Sequence, residues 1–371
     1  MFEFTLTMKN YLFGASLFML ASIFVSCGED DEPEPPAKSP VEVTSPVVFN
    51  PDEVPYQTLS EYNFFEGNMA DFSPVLGVLP YDVITPLFSD YSKKSRFVWM
   101  PDSVKATYES DHNILNFADG TILIKNFYYD HVQPLDDKRV IETRVLYMLN
   151  NEWQFAEYVW NDEQTEAFLD MEGSNTNISF VDEAGLTMTV DYRIPNQSEC
   201  LTCHKVNENP IPIGPKPQNI NSDYAYTDGV KNQLIKWVEM GYLDSNYPTN
   251  IVTTVRWDDT SQLLEDRVRS YLDMNCAHCH RSGSHCDYRE IRFGYNETTN
   301  ADIMGICMES QVYINSDLNY VIAGGKSNKS ALFFRLNSID EEVRMPLLGR
   351  SVVHEEGLQL IYEYIESLNP C

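Results

Sequence analysis

Between about residues 51 and 192 apolar and polar side chains alternate with a period of two. Residues 96–100, 121–129, 140–149, 153–160 and 186–194 each read as a strand with one face buried. Asn150-Asn151 and residues 182–185 fall between such runs and predict hairpin turns. This stretch is expected to form an antiparallel β domain. After Pro195 the spacing lengthens to three and four residues, and helices are predicted at 230–242, 262–274, 329–336 and 355–368. Asp228 and Thr260 are candidate N-caps for the first two. Leu358, Ile361, Tyr362, Ile365 and Leu368 make one apolar stripe on the last, a pattern of core packing. Short helices joined by long loops suit a region where a buried cofactor supplies part of the core.

The N-terminus follows another pattern. Residues 11–27 (YLFGASLFMLASIFVSC) are an uncharged apolar run behind Lys9, slightly short for a membrane span and of the length of a secretory signal. The run ends in small residues at Cys27, after which Gly28, Glu29, Asp30, Asp31 and Glu32 open an acidic, Pro-rich stretch to residue 50. Residues 1–26 are therefore expected to be a signal peptide and Cys27 the lipidated first residue of the mature chain. Residues 27–50 are then a solvated tether. That predicts an exported, outer-membrane lipoprotein on the periplasmic or cell-surface face, in a compartment that permits disulfides.

Composition narrows the partners. The 26 basic and 56 acidic residues leave a net charge of −30. This excludes recognition of nucleic acid through clustered Lys and Arg and favours a basic protein partner. Twenty-two Tyr and nineteen Phe against seventeen Gly agree with a sheet-rich part.

The eight cysteines carry the chemistry. Cys200-Leu201-Thr202-Cys203-His204 and Cys276-Ala277-His278-Cys279-His280 are two C-x-x-C-H motifs, the attachment pattern of c-type haem. Two thiols at this spacing reach the two vinyl groups, and the next residue, His204 or His280, becomes the proximal iron ligand. A zinc site or a redox C-x-x-C also uses paired cysteines, but neither requires the following His. Two covalently bound haem c groups are expected. Met345-Pro346, ahead of the terminal helix, makes Met345 the candidate sixth ligand of the second iron. His278 is expected to face solvent, and His285 lies too near the motif to reach the other haem face. For the first iron, Gly214-Pro215 offers a backbone carbonyl to orient His204. Its sixth ligand is left among Met240, Met171, Met188, His112, His131 and none. Lys326, Arg335, Arg344 and Arg350 are candidate propionate partners. Of the remaining cysteines, Cys286 and Cys307 are expected to form a disulfide, with Cys371 either free or replacing one of them.

Residues 79–101 (LPYDVITPLFSDYSKKSRFVWMP), 158–165 (YVWNDEQT), 192–204 (YRIPNQSECLTCH), 271–280 (YLDMNCAHCH) and 344–357 (RMPLLGRSVVHEEG) together resemble a family of bacterial dihaem c-type cytochromes with an N-terminal β-rich region. The resemblance implies a parallel β-helix protein, often encoded alongside, as a partner. The expected architecture is α+β and multidomain: an antiparallel β domain at 51–192, then two small, mainly α-helical cytochrome c-like haem domains at 193–255 and 256–371. Single-electron transfer to a redox partner protein is the expected function. A peroxidase- or oxidase-like enzyme with an open first haem, or a ligand-binding lipoprotein with redox haems, is the alternative.

Overall fold

Alternation along residues 93–160 is realised as four long antiparallel strands: β2 (Lys93–Trp99), β3 (Ile122–Val132), β4 (Asp137–Leu149) and β5 (Glu152–Trp160). They belong to an eight-stranded sheet in the order β1-β2-β3-β4-β5-β6, edged by β1 (Leu79–Tyr81) and β6 (Ala167–Leu169). The hairpin β7 (Ser174–Val181) and β8 (Thr187–Ile194) joins through β3. The computed structural model describes residues 44–371. The expected signal peptide at 1–26, Cys27 and the expected tether as far as residue 43 lie outside the described residues. Asn150 and Asn151 sit at φ 56° and 61°, the left-handed pair that a two-residue hairpin turn between β4 and β5 requires.

Both faces of the sheet are covered. On one, Phe97, Trp99, Ile122, Ile124, Val145 and Tyr158 pack against residues from the segment before β1, among them Tyr62, Phe64 and Phe72. On the other, Val98, Leu123, Leu146, Met148 and Trp153 share a core with Ile220, Leu234, Trp237, Leu243 and Met274 from the second half of the chain.

That shared core corrects the expected fold class. The described residues are more strand than helix, 26% against 19%, and no small helical cytochrome c domains are evident among them. Residues 193–255 contain short α1 (Gln197–Cys203), α2 (Pro217–Ile220) and α3 (Gln233–Glu239) with two hairpins, β9–β10 (Lys205–Val206, Asn209–Pro210) and β11–β12 (Asp223–Tyr226, Gly229–Asn232). Fully buried Trp237 on α3 meets Tyr81 of the sheet edge-on at 5.5 Å, so this segment has no separate core of its own. The helix expected from residue 230 starts at Gln233, because Gly229 at φ 123° turns residues 229–232 back as a strand. Asn232, not Asp228, caps α3, its side chain accepting from the Leu234 and Ile235 amides. Further on, α4 (Leu264–Asn275), α5 (Ala301–Met304), α6 (Ala331–Leu336) and α7 (Glu355–Ser367) are joined by long loops. Leu263, not Thr260, occupies the N-cap of α4. Leu272, Leu332, Leu358, Ile361 and Ile365 pack together, while Tyr362 of the expected stripe is exposed.

The disulfide takes the alternative form in which Cys371 replaces Cys286. Cys307 pairs with Cys371, not with Cys286. The C-terminal tail runs against Gly324, where an added Cβ would lie 2.1 Å from the Asn369 carbonyl, and this delivers Cys371 to the loop that holds Cys307. Cys286 is instead buried beside the second motif, its amide bonded to the Cys279 carbonyl. The bond closes a separation of 64 residues. Cys371→Ser is therefore expected to cost about 2–4 kcal/mol. Urea denaturation reads this as a lower midpoint, and an unmoved midpoint would show that the tail stabilises without the cross-link.

Candidate functional site

The first motif is built on α1. Asn196 caps the helix by accepting from the Glu199 amide, and the Glu199 carboxylate returns to the Asn196 amide, a reciprocal box that Arg193 steadies at 2.8 Å. Three residues apart on this single turn, Cys200 and Cys203 fall on neighbouring positions of one face. His204 ends the helix. Its Nδ1 donates to the Ile211 carbonyl at 2.9 Å, because a carbonyl can only accept, and this leaves Nε2 with a free lone pair. Ile211, and not the Gly214-Pro215 turn, thus supplies the orienting carbonyl. Burial pushes the His204 imidazole down to about 3, so it is neutral and able to ligate at neutral pH.

Cys200 and His204 line a cavity of about 380 Å³, open space included, together with Arg144, Phe155, Glu157 and Met171. Of the candidate sixth ligands, only Met171 faces it. Met240 and Met188 pack against other cores, His131 is exposed and bonded to Asp136, and His112 lines a separate cleft. The charged wall was not apparent from the sequence. Tyr192 donates to Glu142 at 2.7 Å, Arg144 bonds Glu142, and Arg144 lies 3.1 Å from Glu157. Burial first, and then the Glu142 carboxylate, push the Glu157 carboxyl well up.

The second motif closes α4. Cys276 is its C-cap, and the amides of Cys279 and His280 both bond the Cys276 carbonyl, winding thiols and imidazole into one tight turn. Asp273 anchors this end of the helix through Lys216 at 2.9 Å and the Tyr295 amide at 3.0 Å, and Asn275 accepts from the Phe88 amide. Burial pushes the Cys276 thiol up to about 12 and the His280 imidazole down to about 4. His280 Nδ1 is buried with no partner, and its ring is set instead by Phe293, edge-on at 5.2 Å.

Cys276, Cys279 and His280 open into a cavity of about 1130 Å³ of atom-free space, its mouth included, and Met345 and Pro346 also line it. The walls are largely apolar. Arg289 and Arg335 also face it with no carboxylate of the described residues bonded to either, Arg335 spending its Nη1 on the Val343 carbonyl and Arg289 lying over the Tyr288 ring. Two like charges on one apolar cavity fit an anionic occupant. Lys326 and Arg344 are not among its lining residues, and Arg350 is turned into the backbone behind Met345.

His278 was expected at the surface. It lines this same cavity, half-buried, with Nδ1 unpartnered, and its ligand atom lies within 4.8 Å of the Cys203 and Cys279 sulfurs. The motifs are thus brought together, with Cys203 Sγ 3.9 Å from Cys279 Sγ. Around the second motif two thiols, a neutral imidazole and the Met345 sulfur line one cavity, whereas at the first motif Cys200, His204 and Met171 share a cavity and Cys203 faces that of the second. That donor set can attach a haem covalently and ligate its iron. No protein-family model, curated protein or solved structure matches the chain, so the reading of the site rests on its geometry.

Proposed function

We propose that the chain is a dihaem c-type cytochrome that passes single electrons, exported and held at the outer membrane through lipid on Cys27. The observation that carries the reading is the arrangement of Cys276, Cys279, His280 and Met345 around one large apolar cavity. Covalent haem would supply one-electron chemistry at each motif. The chain's own part is to hold each group by two thioethers, to present His204 and His280 as neutral ligands, and to keep water from the apolar walls. Arg289 and Arg335 would receive propionates, and Met345 and Met171 would lie opposite the two proximal histidines.

The mature chain should leave a host that attaches haem c two haems heavier, with the added mass surviving denaturation and acid–acetone extraction. An unmodified mass ends this reading. A second reading is favoured by the Cys203, His278 and Cys279 cluster, whose soft sulfur and nitrogen donors also suit zinc or copper. Stoichiometric metal without a Soret absorbance would establish it. The net charge of −30 further predicts that electron exchange with a basic carrier slows severalfold as ionic strength rises from about 0.01 to 0.15 M, where the screening length falls from about 30 to 8 Å. A salt-independent rate would exclude docking through the acidic surface.

A further inference from the structure

The two motifs lie 76 residues apart in sequence, yet they are docked on one another. Cys279 Sγ sits 3.9 Å from Cys203 Sγ and 3.9 Å from the Thr202 carbonyl. Thr202 and Cys203 of the first motif also help to line the cavity of the second. Behind the thiols, the loops following the motifs are tied by backbone, the Asn207 amide donating to the Gly283 carbonyl at 2.7 Å. Gly283 is at φ 76°, and a Cβ there would lie 2.3 Å from Asn207 Oδ1 and 2.7 Å from its Cγ. A larger residue at 283 would therefore displace the Asn207 side chain and strain the left-handed backbone that makes this tie.

On the reading proposed above, we infer that the docked motif loops hold their two haems edge to edge, as one electronically coupled pair and not as two independent carriers. A thioether joins each cysteine sulfur directly to the rim of its macrocycle. Sulfurs 3.9 Å apart that belong to different motifs therefore bring the two rims together at Cys203 and Cys279. Across so short a gap, in a partly buried and low-dielectric setting, a charge placed on one group changes the energy of placing a second on its neighbour. The chain would then accept its two electrons at distinct potentials even if the two sites had equal intrinsic ones. A pair of this kind can collect electrons one at a time and hold two for a partner that consumes both.

The test uses purified holoprotein with its haem count fixed by mass. Circular dichroism should show a bisignate Soret couplet, the signature of two interacting macrocycles. Gly283→Val should reduce its amplitude at least twofold with both haems still attached. Asn207→Gly, which keeps the amide and the left-handed backbone, should preserve the couplet. Two attached haems with no couplet in the unaltered protein would overturn the coupled pair and leave the dihaem reading standing. A chain without covalent haem would overturn that reading and the pair with it. An undiminished couplet in Gly283→Val would overturn the part assigned to the Asn207–Gly283 tie, while the couplet of the unaltered protein tests the pair without depending on any variant folding.

Discussion

Met345→Ala should abolish the methionine-to-iron charge-transfer band and lower one of two reduction potentials by on the order of 0.1 V, within the ~0.8 V that axial ligands span. It should also create one iron that admits carbon monoxide. The size of the effect follows from ligand chemistry. A thioether is neutral and soft, so it favours ferrous over ferric iron, and its removal shifts the balance toward the oxidised state. The cavity that holds Met345, Cys276, Cys279 and His280 is largely apolar, and Met308 is the other methionine sulfur that lines it. Met345 is fixed from behind, its amide donating to the Arg335 carbonyl at 3.1 Å, so the loop should persist when the side chain is shortened. Met171→Ala is the companion measurement. It faces Cys200 and His204 in the other cavity and should move the other potential alone. If Met345→Ala keeps the band and both potentials, Met345 is a core residue and the ligand assignment fails.

What could be read in the sequence is what local chemistry writes at fixed spacing. The strands β3, β4 and β5 were visible because their side chains alternate, and the Asn150-Asn151 turn because few residue pairs tolerate left-handed backbone. Strand β7 was not, since Ser174, Asn175, Thr176 and Asn177 carry no apolar alternation and pair only because β8 lies alongside. Period two also says that a face is covered without saying by what. Leu123, Leu146 and Met148 would look the same under an independent lid or under α3, and the shared core with Trp237 is what removed the expected separate haem domains. The motif residues stood out through their C-x-x-C-H spacing and Met345 through the Met-Pro pair ahead of the last helix. The contact between Cys203 and Cys279 and the Cys307–Cys371 pairing depend on tertiary placement across 76 and 64 residues, which no local pattern encodes. The Glu142–Arg144–Glu157 wall was hidden for a related reason, because charged residues on alternating strand positions ordinarily face water.

Arg350→Met should unfasten the Met345 loop, at a cost of about 3–5 kcal/mol in stability from two or three buried carbonyls left without donors, and with loss of most of the charge-transfer band. Arg350 is buried, and its guanidinium is spent wholly on backbone. Nε and Nη2 donate to the Met345 carbonyl at 3.0 and 2.8 Å, Nη2 also reaches the carbonyls of Arg335 and Ser338, and Nη1 that of Val352. Removing these donors leaves several carbonyls inside the protein without partners, and each pulls the loop toward water. The next residues are fastened to the sheet side, where the Asp90 carboxylate accepts from the amides of Ser351 and Val352 and from the Ser351 hydroxyl. Tyr129 of β3 donates to the Asp90 carbonyl, so the strand itself is one end of the fastening. On the proposed reading Arg350 would thus be a positioning residue, acting on iron only through Met345. Lysine lacks the planar fork and should recover the band only in part, while Asp90→Asn, which keeps one acceptor oxygen, should weaken it less than Arg350→Met. A purely structural role would lower stability and leave the surviving folded protein with a full band and unshifted potentials. That outcome in Arg350→Met would separate the loop from the ligand and remove Arg350 from the redox site.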